Sequence, residues 1–178
     1  MNYTLRLNLD GIVLNMRIND YNKDYKDGED WLKVDFSLEG HKWLHYQISG
    51  EIIEYCEIEM LIDGLSYLLD GKIKESNYIE LTEPDLAFIL KPQYDVRNNP
   101  RVLYVREGLE IVDVSMTMEV HFWDEGALTA NYMSLEFDRD DIEHLLHYLK
   151  LISGKENATD EVIIKLIEDG IILPEYKL

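Results

Sequence analysis

The chain has 178 residues, in which 36 acidic side chains stand against 17 basic ones for a net charge of −19. That length suits one domain, or one domain with a short appendage, and an apolar fraction of 46% is enough for one core. Phosphate backbones bind through Lys and Arg, so the acid excess makes nucleic acid and anionic membrane surfaces poor partners and a basic protein a good one, although acidity also serves plain solubility.

Cys56 is the single cysteine, so no intramolecular disulfide can form and a reducing cytosol fits. Residues 1–10 lack a basic stretch followed by an apolar run, and no apolar run approaches the roughly 20 residues of a membrane helix. The expected location is cytoplasmic.

Residues 3–9 and 12–18 alternate around Asp10-Gly11, a hairpin signal because both central turn positions take positive φ. Residues 19–30 are acidic and tyrosine-rich and read as an exposed loop. Residues 31–39 are a strand with Leu32, Val34, Phe36 and Leu38 facing in, and residues 42–49 are its partner beyond a turn at Gly40. The period then changes: Ile58, Leu61, Ile62, Leu65, Leu68 and Leu69 form one helical stripe within residues 54–70, closed by Gly71, with Gly64 marking close packing.

Strands are expected at 77–82 and 85–91, separated by Glu83-Pro84, since proline removes a ladder donor. Residues 92–101 read as irregular. The strongest strand pattern carries Val114, Met116, Met118, Val120 and Phe122 on one face. It turns at Asp124-Glu125-Gly126 and returns over residues 128–137. Asp138 can cap a second helix with the stripe Ile142, Leu145, Leu146, Leu149 and Ile152. A third, short helix follows between Thr159, as cap, and Gly170, and residues 171–178 read as a tail. Short turns between strands imply antiparallel pairing. The expected class is α+β: a twisted, mainly antiparallel sheet with two amphipathic helices packed on it and a short C-terminal helix. Residues 1–154 form a single domain, and residues 155–178 a helical extension packed on it.

No catalytic constellation emerges. His41 and His45, and His144 and His147, are pairs without a defined third ligand, and zinc takes three or four. The segment from Asp20 to Asp24 opens like a calcium loop, but Tyr25 stands where glycine is required and Trp31 where the bidentate glutamate belongs. Neither a phosphate-binding glycine loop nor a G-x-S-x-G elbow occurs. Cys56 stands among Glu54, Glu57 and Glu59, which raise a thiol pKa, and reads as a core residue at a helix start. The expectation is therefore no catalytic residue, no metal and no cofactor.

Aromatic residues carry more signal. Trp31, Trp43, Trp123 and the tyrosines Tyr3, Tyr21, Tyr25, Tyr46, Tyr94 and Tyr132 fall at strand ends or on faces that otherwise read polar, and Tyr and Trp are enriched at binding hot spots. They also favour strands and pack across them. Acid beside aromatic nominates a partner-binding surface of Asp20, Tyr21, Asp24, Tyr25, Asp27, Glu29 and Asp30, together with Trp123, Asp124 and Glu125.

The order of motifs resembles one family. An opening hairpin leads to Asp30-Trp31-Leu32-Lys33-Val34. A helix with Glu59, Leu61, Ile62, Leu65 and Leu68 follows, then Glu83-Pro84-Asp85-Leu86-Ala87-Phe88. Last comes a long alternating strand whose partner runs directly into the helix 139–149. This pattern, over residues 1–154, resembles the WapI-like family of bacterial immunity proteins. The resemblance implies a non-catalytic protein that neutralises a toxin domain by stoichiometric binding. Many toxin domains that attack nucleic acid are basic, so an acidic inhibitor is expected. Two other classes stay open on the residues alone: an enzyme using carboxylates and histidines, betrayed by a metal or a pocket around His121, and an assembly subunit docking through its C-terminal helix.

Overall fold

The computed structural model describes residues 2–19, 21, 31–124 and 127–175. Strands β1 (Tyr3–Leu9) and β2 (Ile12–Ile18) form the expected hairpin, with Asp10 at φ 49° and Gly11 at φ 90° in its turn. Strand β3 (Trp31–Gly40) pairs with β2 and with β4 (Leu44–Glu54). The turn between β3 and β4 lies at residues 41–43, beyond Gly40, and His41 takes the positive φ of 49°. Gly40 instead stays in the ladder between Ile12 and Leu44, where a Cβ would meet the Ile12 side chain at 3.2 Å.

Helix α1 (Tyr55–Leu69) buries the predicted stripe Ile58, Leu61, Ile62, Leu65 and Leu68. Leaving the edge strand β4, it carries the chain to a second sheet. There β5 (Asn77–Glu80), β6 (Leu86–Leu90), β9 (Met116–Asp124) and β10 (Ala127–Phe137) pair antiparallel in the order β10-β9-β6-β5. The strands thus form two sheets rather than one, because periodicity shows which face of a strand is buried and not which strand lies beside it. Residues 92–101, expected as irregular, contain β7 (Tyr94–Asp95) and a 3₁₀ turn, and β7 pairs with β8 (Val112–Asp113) in a two-stranded ribbon.

Helix α2 (Arg139–Ser153) begins at Asp138, whose carboxylate accepts a 3.0 Å bond from the Asp141 amide, and closes at Gly154 in the left-handed conformation. It buries Ile142, Leu145, Leu146 and Leu149. Burying a Leu or Ile fully is worth about 1.5–3 kcal/mol, so each helix is held by its stripe more than by propensity. Gly64 lets α1 approach the second sheet: a Cβ there would lie 3.1 Å from Ile79 and 3.2 Å from Leu90. Tyr148 is fully buried, accepts a 2.9 Å bond from the Ile18 amide and donates to the Tyr3 carbonyl at 3.2 Å, tying α2 to β1 and β2.

Beyond Gly154, Glu156 meets His147 at 2.8 Å and Lys155 pairs with Glu59. Helix α3 (Glu161–Glu168) is preceded by Asp160 as cap residue, not Thr159; the Asp160 carboxylate accepts a 2.7 Å bond from the Asn157 amide. The stretch expected as a tail contains β11 (Ile172–Pro174), which pairs with β1 and completes the order β11-β1-β2-β3-β4. One continuous core joins the inner faces of both sheets to the three helices. Among the described residues no helix is long and apolar enough to cross a membrane.

Candidate functional site

The second sheet turns one face to solvent. Along β9, Met118 and Val120 point into the core, so Glu119, His121 and Trp123 point outward. On the neighbouring β10, Tyr132 pairs with His121 and Ser134 with Glu119. The register shifts between Leu128 and Tyr132, and Thr129 there donates its hydroxyl to the Phe122 carbonyl at 2.8 Å. Such an irregularity re-aims side chains at a strand edge. From the opposite edge, β5 presents Tyr78 and Glu80, both exposed.

These side chains are fixed by contacts to one another. The His121 and Tyr132 rings stack with centroids 5.3 Å apart. The Tyr78 hydroxyl donates to Glu119 at 3.3 Å, and the Trp123 indole N–H donates to Asp85 at 2.8 Å. Asp85 is buried, and burial pushes its carboxyl pKa up against the opposing pull of the Trp123 bond. Beneath them, Tyr46 of β4 meets Phe122 edge to face at 4.9 Å and donates to the His121 carbonyl, forming the seam between the sheets.

Of the residues nominated from sequence, Asp20, Asp24, Tyr25, Asp27, Glu29, Asp30 and Glu125 lie outside the described residues. Tyr21 stacks on Tyr55 with centroids 4.4 Å apart, and burial and the Tyr55 hydroxyl push its own hydroxyl pKa up. Trp31 pairs with Glu54, the residue before α1. Both ends of the acidic loop therefore attach at the first turn of α1. From that turn the buried Glu57 accepts bonds from its own helix start, the Glu54 amide at 2.7 Å, and from the Thr82 amide at 2.6 Å and hydroxyl at 2.9 Å. Thr82 opens the connection that carries Asp85, the partner of Trp123. Asp124, next to Trp123, is exposed at the end of β9. Tyr21 and Trp31 thus attach at the start of α1, and Trp123 attaches to Asp85.

The model of the immunity protein WapI-like family matches residues 5–155. The chain belongs to this family. Comparison with curated proteins gives no match. As a member of an immunity protein family, it is a toxin-neutralising protein, and such proteins are generally non-catalytic.

Among the described residues no group of three or more His, Cys, Asp and Glu could hold a metal ion. Cys56 is exposed, not a core residue, because the first turn of α1 points it away from the stripe; desolvation and the Glu54 carboxylate raise its thiol pKa. On the open face of the first sheet Asp35 accepts from Ser49 at 2.5 Å, Arg17 at 2.9 Å and Asn19 at 2.9 Å, which lower its pKa to about 2. Arg17 also pairs with Glu175, so it bridges two carboxylates on that face. Sequence reasoning passed over Tyr78, Asp85 and Glu119 as binding residues. Alternation shows Glu119 facing outward, but only the pairing of β5, β6, β9 and β10 sets these residues on one surface.

Proposed function

We propose that this immunity protein neutralises a basic toxin domain in the cytosol by forming a stoichiometric complex with it, acting by occupancy and not by catalysis. The observation that carries this reading is a net charge of −19 in a chain that belongs to an immunity protein family. A toxin must be caught before it turns over, and opposite fields raise association rates by about 10–10³-fold. The same field disfavours nucleic acid and anionic membranes as partners. The binding unit is residues 1–154, braced by the extension 155–178. The contacts proposed from sequence are the acidic, aromatic segments 20–31 and 123–125.

The test is a tagged pull-down from lysate of the source cells, grown so that their secreted toxins are expressed, with mass spectrometry of what is retained. The expected result is one basic polypeptide in equimolar amount, released by moderate salt. An empty column from lysate shown to contain such toxins would overturn the reading. With the retained toxin in hand, charge reversal at Asp24, Asp27 and Glu29 should slow association and flatten its salt dependence. Unchanged association kinetics would remove that loop from the contact surface.

A further inference from the structure

Both open sheet faces of the molecule carry carboxylates without a matching base. On the first sheet, Arg17 bridges Asp35 and Glu175, and the exposed Glu39 and Glu51 have no Lys or Arg ion pair among the described residues. On the second, the exposed Glu80 has no Lys or Arg ion pair among the described residues, Glu119 has only His121 at 3.7 Å, the buried Asp85 accepts from Trp123, and Lys91 is taken by Glu136 at 2.5 Å. A surface of unmatched carboxylates raises the local concentration of cations and is completed only by a partner that brings them.

The aromatic side chains of this face narrow the choice further. Tyr78 and Tyr132 are half exposed and Trp123 is 38% exposed, yet Trp123 and Tyr78 each spend their polar atom on a neighbouring carboxylate, and Tyr132 is held against the His121 ring. What they offer to a partner is ring surface held in place beforehand, which lowers the entropy lost on binding. Between Tyr78 on one edge strand and Tyr132 on the other, the central strands contribute the half-buried Ile89 beside Tyr78 and the buried Ala87 and Thr117. Ring faces flanked by carboxylates suit a guanidinium better than an ammonium: it stacks flat on an aromatic ring while its N–H fork engages a carboxylate.

We propose that the open face of the second sheet, centred on Tyr78, Glu119, His121, Trp123 and Tyr132, forms part of the toxin-contacting surface and that it receives an arginine-bearing segment of the toxin domain. This rests on the binder reading above and specifies its surface and chemistry.

The probe is a nona-arginine peptide, titrated into ¹⁵N-labelled protein at about 0.15 M salt, where long-range attraction is screened beyond about 8 Å. The largest amide shifts are expected at residues 78–80, 85–87, 119–124 and 132–134, with nona-lysine binding more weakly. Tyr78→Ala with Tyr132→Ala should weaken the peptide about tenfold, within the range of hot-spot truncations. Glu80→Gln with Glu119→Gln, which preserves side-chain volume, should do likewise if the alanine variant folds poorly. Glu39→Gln with Glu51→Gln, on the first sheet, should leave affinity unchanged. Shifts spread over the acidic surface or centred on the first sheet, or equal affinity in the face variants, would overturn the assignment. The same variants are then compared on the toxin retained by the wild-type protein. Equal retention by wild type and face variants sinks this surface while the binder reading stands. If the wild type retains no toxin, the binder reading fails, and the peptide map still decides whether this face binds arginine.

Discussion

Replacing Glu57 with Ala probes the tie between the start of α1 and the second sheet. The Glu57 side chain is 4% exposed, and its two oxygens accept three hydrogen bonds, from the Glu54 amide, the Thr82 amide and the Thr82 hydroxyl. Truncation leaves the Glu54 and Thr82 amides without their acceptor, while the Thr82 hydroxyl can rotate to another partner. An orphaned donor costs about 1–3 kcal/mol, the low end applying to these part-buried amides, and with the loss of the reciprocal cap the expected destabilisation is about 3 kcal/mol. That is a large part of a total stability of about 5–15 kcal/mol. For a chain of this size each kcal/mol lowers Tm by about 2–4 °C, so the melt followed by circular dichroism should fall by about 6–12 °C. Glu57→Gln keeps one acceptor and should lose about half as much, whereas Thr82→Ala should lose only about 1 kcal/mol. The Glu57→Ala/Thr82→Ala double variant should be less destabilised than the sum of the singles, because both remove one contact. An Ala variant melting within about 2 °C of wild type would refute the claim that this carboxylate joins the two elements.

Three further outcomes follow from buried or perturbed groups. Tyr148→Phe removes the acceptor of the Ile18 amide and should cost about 1–3 kcal/mol, with faster hydrogen exchange at Ile18; unchanged exchange would show that bond to be dispensable. Burial, and next the charge of Asp138, raise the Asp141 pKa to about 6, above its ordinary 3.8, so the stability that its protonated form contributes is lost as pH climbs from about 4 through 6. Asp141→Asn should therefore gain on wild type in urea midpoint between pH 4 and pH 7; a constant difference would contradict this. Asp35 is the opposite case: its pKa of about 2 lies below 3.8, so its contribution is present at neutral pH and lost as pH falls toward 2. Asp35→Asn should cost about 1–2 kcal/mol at pH 7, allowing for solvent screening, and the gap should close below about pH 3, as read from acid-unfolding curves.

Local chemistry by itself determined the elements of this protein. The Asp10-Gly11 turn, the inward row of Leu32, Val34, Phe36 and Leu38, the stripe of α1 and the Asp138 cap are each written within a few neighbouring residues, and each stands in the structure. Fold class and family were legible for the same reason, since order and period survive without knowledge of contacts. Tertiary structure alone decided how the elements are shared out. The split into two sheets, the docking of β11 on β1, and the meeting of Asp85 with Trp123 and of Tyr78 with Glu119 join residues far apart in the chain. A strand's period of two tells which side chains face the core, but every strand edge offers the same backbone donors and acceptors. Which edges meet, and so which acids and rings share a surface, is chosen by packing the whole core at once.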